Sequence, residues 1–383
     1  MPIHMRRAYL STIRERYQNA PKRQKKNILD EFCSVCGYSR KYAIRILNGS
    51  VEPRTQRPGP KPTYGPDIAL HLATLWNAMN RMCSKKMVVA LPLWLDFYKE
   101  ASWEQKELLK KMSASTIDRL LRPVRSPLKK GKSTTSSASM IKSRIPIQLL
   151  DAEVTEPGFV EADTVSHCGD SAIGPFMSSL TITDLFSGWT ENRAVWTKTA
   201  EGITAQVAKI EEVLPFMLTG FACDSGSEFI NETLENHLKH RLRPVRFVRR
   251  RPYKKNDNAH VEQKNWTHVR GLFGYDRLDD PSDVLAMNEI YRAFWNPLWN
   301  FFTPVMKLKS KTKIGGKYKK TYDTPKTPYQ RLLDHLGLLP HMKKKLRLQF
   351  EGKNPFSLKK ELDLRLKEFF KSVERRRARP TGS

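Results

Sequence analysis

Residues from about 158 to 274 constrain the fold of this 383-residue chain most, because their apolar periodicity switches between two and 3.6 in a set order. "GFVEADTV", "SSLTITDLF" and "ENRAVWT" alternate as strands. "AEGITAQVAKIEEVL" then has helical spacing, "TGFACD" is another strand, and "SEFINETLENHLKH" is a helix. "RPVRFV" is a short strand and "NAHVEQKNWTHVRGLFG" a last helix. Three successive strands followed by α/β alternation predict a mixed sheet with helices packed on it.

Either side of this block the chain changes character. Residues 1–50 predict a small all-α unit. Ile28, Leu29, Phe32 and Val35 fall at helical spacing, Gly37 makes a turn, and Ser39 opens a short helix that buries Ala43, Ile46 and Leu47. Arg40, Lys41 and Arg45 lie on or beside the other face of that helix. Helix, glycine turn and basic second helix are the helix-turn-helix pattern. Residues 51–66, "EPRTQRPGPKPTYGP", form a basic Pro-rich linker carrying Arg57 and Lys61. A second helical unit is expected at 67–122, with Leu72, Leu75, Trp76 and Met79 as its stripe. Its last helix places Asp118 and Arg119 outward, as a second DNA-reading helix would.

Residues 123–146 then predict a flexible basic linker, with Lys129 and Lys130 in an acid-free Ser/Thr tract. The α/β block fills 147–300. Residues 301–383 are basic again, with seven lysines and no acid in "KLKSKTKIGGKYKKTY", Gly315–Gly316 as a hairpin turn, and two helical stretches after it. The expected class is multidomain: N-terminal helix-turn-helix units, a central α/β domain, and a C-terminal region with a small hairpin or barrel and helices.

The formal charge of +29 makes a polyanion the natural partner, and nucleic acid is the leading one. No apolar run approaches ~18 residues and no signal pattern opens the chain, so a membrane partner is not expected. Five scattered cysteines fit a reducing compartment, and the expected location is cytoplasmic and nucleoid-associated. Cys33 and Cys36 form a CxxC, but no His pair lies near, so zinc is not expected.

Three acids stand out by context. Asp163 lies mid-strand in an apolar run, where a carboxylate is costly to bury unless a cation or donor meets it. Asp224 closes a strand before a glycine turn, at the sheet edge where ligands gather in α/β proteins. Glu262 sits at the start of the last helix, in the basic stretch "RPYKKNDNAHVEQKN". Singly, each has a structural reading as a turn, cap or solvated residue. Carboxylates gathered from separate elements repel, and hard divalent cations such as Mg²⁺ relieve that repulsion.

"VEADTV", "CDSGSEF" and "RPYKKNDNAHVEQKNW" together resemble the three catalytic blocks of DDE transposases of the retroviral-integrase superfamily. More narrowly, they are similar to bacterial insertion-sequence transposases with an integrase core. Asp163 lies 61 positions before Asp224, and Glu262 lies 38 after it. The likeness covers about 155–275, and it departs from the family at Ser225, where Asn is common.

The resemblance implies an RNase H-like fold with a five-stranded mixed sheet. It implies two Mg²⁺ or Mn²⁺ ions on Asp163, Asp224 and Glu262, DNA cleavage at the element's ends, and transfer of the freed 3′-OH to target DNA. The implied partners are double-stranded DNA, as terminal inverted repeats and target, and further copies of the chain as a homodimer or larger synaptic assembly. Lys254, Lys255, Asn258, Gln263 and Lys264 would face that DNA, and His167 and His260 lie near the acids. Two other classes share some of these features. One is a non-catalytic DNA-binding regulator derived from such a protein, and the other is a nuclease of the same fold without strand transfer.

Overall fold

The computed structural model describes residues 3–49, 63–125, 154–249, 264–314 and 317–378. They form two compact units, residues 1–63 and 64–383.

The first unit contains three helices: α1 (Ile3–Asn19), α2 (Lys22–Cys36) and α3 (Arg40–Asn48). Its core joins Ile13 and Tyr17 of α1 to Ile28, Leu29, Phe32 and Cys36 of α2 and to Ala43 and Leu47 of α3. The stripe of α2 was expected to close on Val35; Val35 is exposed and Cys36 takes the inward place. Gly37 ends α2 at φ +69°, a left-handed conformation that favours glycine, and its N–H donates to the Cys33 carbonyl at 2.9 Å. This turn sets α3 against the other two helices, and Arg14 donates from Nε to the Ile46 carbonyl near the end of α3 at 3.1 Å.

The second unit begins with four helices: α4 (Pro66–Ala78), α5 (Ser84–Leu95), α6 (Trp103–Lys110) and α7 (Ala114–Arg125). They do not stand as a body of their own, as the composition of the following segment suggested. Their buried residues continue into the core of the sheet-bearing region. Trp94 makes the join: its ring packs edge-on against Phe302 and Phe356, and its Nε1 donates to the Phe302 carbonyl at 3.3 Å. Trp94→Ala should therefore destabilise the second unit by about 3–5 kcal/mol, the usual cost of emptying a buried indole site. Denaturant melts would read that loss, and an unchanged midpoint would mean that α5 does not hold the two parts together.

The sheet has the order β3-β2-β1-β4-β5, from strands β1 (Phe159–Ser166), β2 (Met177–Asp184), β3 (Thr190–Trp196), β4 (Gly220–Cys223) and β5 (Arg246–Arg249). The first three pair antiparallel, while β1–β4 and β4–β5 are parallel. That mixed order is the RNase H-like fold. Helix α8 (Ala200–Glu211), with Thr199 Oγ1 accepting from the Gly202 N–H, makes the crossover from β3 to β4. Helix α9 (Glu232–Lys239) makes the crossover from β4 to β5. Gly220 lets β1 and β4 approach, because a Cβ there would lie 2.2 Å from the Phe159 ring.

Helix α10 begins as a π-helical turn, Asn265–Arg270, and runs into Gly271–Phe273. Helix α11 is continuous through Asp283–Glu289, a π-helical Ile290–Trp295, and Asn296–Phe302. Asp163, Thr181 and Asn192 are register partners across β1, β2 and β3. Asn265 and His268 of α10 meet the two ends of that row. A hairpin, β6 (Leu308–Ile314) and β7 (Lys317–Tyr322), follows with helices Pro328–Asp334, Pro340–Glu351 and Pro355–Arg377. The Gly315–Gly316 turn lies outside the described residues.

Candidate active site

Two of the three expected acids meet on neighbouring parallel strands. The β1–β4 register pairs Glu161 with Ala222, so Asp163 and Asp224 each lie two residues further along. Asp163 Oδ1 accepts from the Thr164 N–H at 2.8 Å, and Oδ2 accepts from Asn265 Nδ2 at 2.6 Å. Asp224 Oδ1 accepts from the Gly226 N–H at 3.0 Å.

Burial pushes the Asp163 carboxyl up to about 7, and the neighbouring Asp224 charge pushes the same way. Its two donors pull against that shift without cancelling it. Asp224 is raised too, by burial and by the charge of Glu228, with the Gly226 N–H and Lys198 opposing. Two buried carboxylates this close are hard to ionise together.

Glu228 and Lys198 belong to the same locality and were missed in the sequence. Glu228 Oε1 accepts from Thr164 Oγ1 at 2.8 Å and from Lys198 Nζ at 3.4 Å. Gly226 separates the two acids of "DSGSE" without a side chain; a Cβ there would lie 2.4 Å from Glu228 Oε2 and 3.1 Å from Asp224 Oδ1. The available signal was a second carboxylate four residues past Asp224 across a glycine. Lys198, in the β3–α8 connection, carried none. The Ser225 Oγ is buried and makes no hydrogen bond among the described residues.

Glu262 and His260 lie outside the described residues, as do Arg57, Lys61, Lys129, Lys130, Lys254, Lys255, Asn258 and Gln263. Among the described residues no group of three or more His, Cys, Asp or Glu is placed to hold a metal ion. Arg40, Lys41 and Arg45 are exposed on α3, with Arg40 paired to Asp30, and Arg119 is exposed on α7. Asp118 is exposed as expected; it accepts from Ser84 Oγ at 2.9 Å and pairs with Arg125 at 2.5 Å.

Lys264 departs from its expected place on a DNA face. Its side chain is buried, with Nζ 3.9 Å from the centre of the Trp299 ring, and burial drives its ammonium well below the usual lysine range. A lysine in a basic run looks solvated in sequence, and the indole that covers it comes from a distant helix. His167 is also interior. Burial, with Arg270 nearby, lowers it to about 3, so the ring is neutral, and its Nε2 lies 2.8 Å from Ser179 Oγ. It is a packing residue of the sheet.

The strand order, with β1 and β4 parallel, defines the part that carries Asp163 and Asp224 as an RNase H-like domain. No family model matches the chain. It is 35% identical over 330 residues to the Uncharacterized protein y4rM of Sinorhizobium fredii (strain NBRC 101917 / NGR234), covering 84% of this chain and 93% of that one. The chain belongs to the family of that protein. Among solved structures, the catalytic core domain of BIV integrase aligns with 45% of this chain and 91% of its own, at 14% identity and a TM-score of 0.27. The strand order, and not that loose superposition, establishes the fold. No described helix is long and apolar enough to cross a membrane.

Proposed function

We propose that this chain is a DDE-type DNA transposase that binds the terminal inverted repeats of a mobile element, cleaves at its ends and transfers the 3′-OH to target DNA. The observation that carries this reading is the Asn265–Asp163 hydrogen bond. Asn265 follows Glu262 by three positions, the spacing of neighbours on one helical face. The sequence block that contains Glu262 thus supplies, through Asn265, a donor to the Asp163 carboxylate.

In this reading Asp163, Asp224 and Glu262 hold two Mg²⁺ or Mn²⁺ ions. The donor set fits: hard oxygens, two of them on buried, mutually repelling acids. When bound, the ions supply charge neutralisation at the phosphate and polarise the attacking and leaving oxygens. The protein's own part is to orient. Asn265 and the Thr164 N–H fix the two oxygens of Asp163, the Gly226 N–H fixes Asp224, and Glu228 ties Thr164 to Lys198.

Sequence-specific contact falls to α3 through Arg40, Lys41 and Arg45. Arg119 and the lysines of the basic segments and of the β6–β7 hairpin contact phosphates. Two DNA ends held at once call for at least a dimer.

The test is a strand-transfer assay with the full chain, a pre-cleaved end oligonucleotide and Mg²⁺ or Mn²⁺. Joined products that vanish with EDTA are expected. Binding without any reaction would make the chain a regulator, and cleavage without joining would make it a nuclease. A double Lys41→Ala, Arg45→Ala variant should bind end DNA more weakly and lose most of its preference for end over unrelated DNA, each base contact being worth about 1–3 kcal/mol. An unchanged preference in a filter-binding titration would remove α3 from the interface.

A further inference from the structure

The second unit contains a cavity of about 450 Å³, a size typical of small-ligand sites. Its wall draws on the α4–α5 turn, the end of β2, α10, α11 and the strand segment leading to β6. Lys264 and Lys86 both approach the Trp299 ring, at 3.9 Å and 5.9 Å from its centre. A ring face attracts an ammonium but offers it no hydrogen-bond acceptor.

Among the described residues, Lys264 Nζ has no hydrogen-bond partner, and neither has the buried Nε1 of Trp299. Asp184 is the acid on the wall, and its oxygens are already taken. Oδ1 accepts from the Gly158 N–H at 2.8 Å, and Oδ2 accepts from the Ser187 N–H and Oγ, both at 2.6 Å. Among the described residues these two buried donors of the wall are therefore unmatched, as buried polar groups in native proteins rarely are. An anion with several oxygens restores the balance. Inorganic phosphate alone would leave most of the volume unfilled, and the remaining wall offers apolar and aromatic groups, Met79, Trp295 and Tyr322, beside Asn80, Thr303 and Lys307.

We propose that this cavity binds a phosphate-bearing nucleotide, with its phosphate on Lys264 and Lys86 and its base along the aromatic wall. The nucleotide is either a free monophosphate or the 5′-phosphorylated end of a single DNA strand. Lys264 is the immediate neighbour of Asn265, which holds Asp163, so an occupant touches the segment that orients the acid. The proposal goes beyond the transposase reading and does not depend on it, since binding is measured without catalysis.

The test uses the full chain, calorimetry and tryptophan fluorescence. The probes are deoxyadenosine monophosphate, deoxyadenosine, inorganic phosphate and a 5′-phosphorylated trinucleotide. Saturable binding of one monophosphate or trinucleotide per chain is expected, with a fluorescence change from Trp295 and Trp299. Deoxyadenosine and inorganic phosphate should bind at least tenfold more weakly. Tighter binding of the monophosphate identifies a free ligand, and tighter binding of the trinucleotide a strand end.

Lys264→Met should weaken binding at least tenfold. Lys86→Met, at a less buried position, serves the same purpose if the first variant does not fold, and Lys209→Met, at an exposed position of α8, should change nothing. The proposal is overturned by any of three results. These are no saturable binding of either nucleotide, an affinity that neither cavity lysine alters, or inorganic phosphate binding as tightly as the nucleotides.

Discussion

Replacing Glu262 by Gln should abolish end cleavage and strand transfer together, by about 1,000-fold or more, equivalent to roughly 4 kcal/mol of activation barrier. Glutamine keeps the length and shape of the side chain and removes the charge that a divalent cation requires. Binding of end DNA should stay close to the wild-type affinity, because in the proposed reading phosphate contact falls to Lys and Arg side chains elsewhere. Asp163→Asn and Asp224→Asn should behave alike, and combining any two should cost little more than one, as for residues that act as a unit. Strand transfer surviving in Glu262→Gln at a tenth of the wild-type rate would place the third carboxylate elsewhere. Glu228, already bonded to Thr164 and Lys198, would then be the first residue to substitute.

The second large effect concerns pH. Asp163 titrates near 7 in the folded chain, against an ordinary value of 3.8. Between those values the folded state keeps a proton that the unfolded state has released. The contribution of Asp163 to the stability of the metal-free protein therefore falls as pH rises from about 4 to 7, then levels off. Asp163→Asn removes this penalty, so above pH 7 the metal-free variant should be more stable than the wild type, by on the order of a few kcal/mol. Below pH 4 the two should converge.

Added Mg²⁺ should raise the wild-type melting temperature at pH 8 and leave Asp163→Asn almost unmoved. Binding of the ion should release a proton below pH 7, with affinity climbing up to about tenfold per pH unit until the carboxyl is fully ionised. Thermal melts in EDTA and in Mg²⁺ from pH 5 to 8 read both effects. Identical pH profiles for wild type and variant would mean that Asp163 ionises as an ordinary surface carboxylate.

Local pattern made the sheet readable in advance. Alternation in "GFVEADTV" and "SSLTITDLF" predicts β1 and β2 to within a residue or two, and "TGFACD" predicts β4 with Asp224 at its end. Asp163 and Asp224 were visible as candidates because an acid inside an apolar strand and an acid at a strand end are each costly or exposed by position. What escaped depends on partners far away in the chain. Nothing near Lys264 announces that Trp299 will cover it. Nothing in "ALPLWLDF" announces that Trp94 will reach Phe302 and Phe356. Glu228 passed as a helix-start acid because its distinguishing contacts, Thr164 and Lys198, come from β1 and the β3–α8 connection. Charge also misled, since a lysine among lysines suggests solvent whereas a single indole suffices to draw it inside.

The reach of Trp94 across more than two hundred positions bears on synthesis. Helices α4–α7 leave the ribosome long before Phe302 and Phe356 exist to receive the indole. Contacts of such separation form late and slowly. A chain stopped short of the C-terminal helices keeps α4–α7 and the whole sheet but lacks the surface that covers their apolar side. Such fragments should be held by chaperones or removed by proteases rather than accumulate as half-active protein. Stability of the second unit should therefore depend on the helices Pro340–Glu351 and Pro355–Arg377 being present.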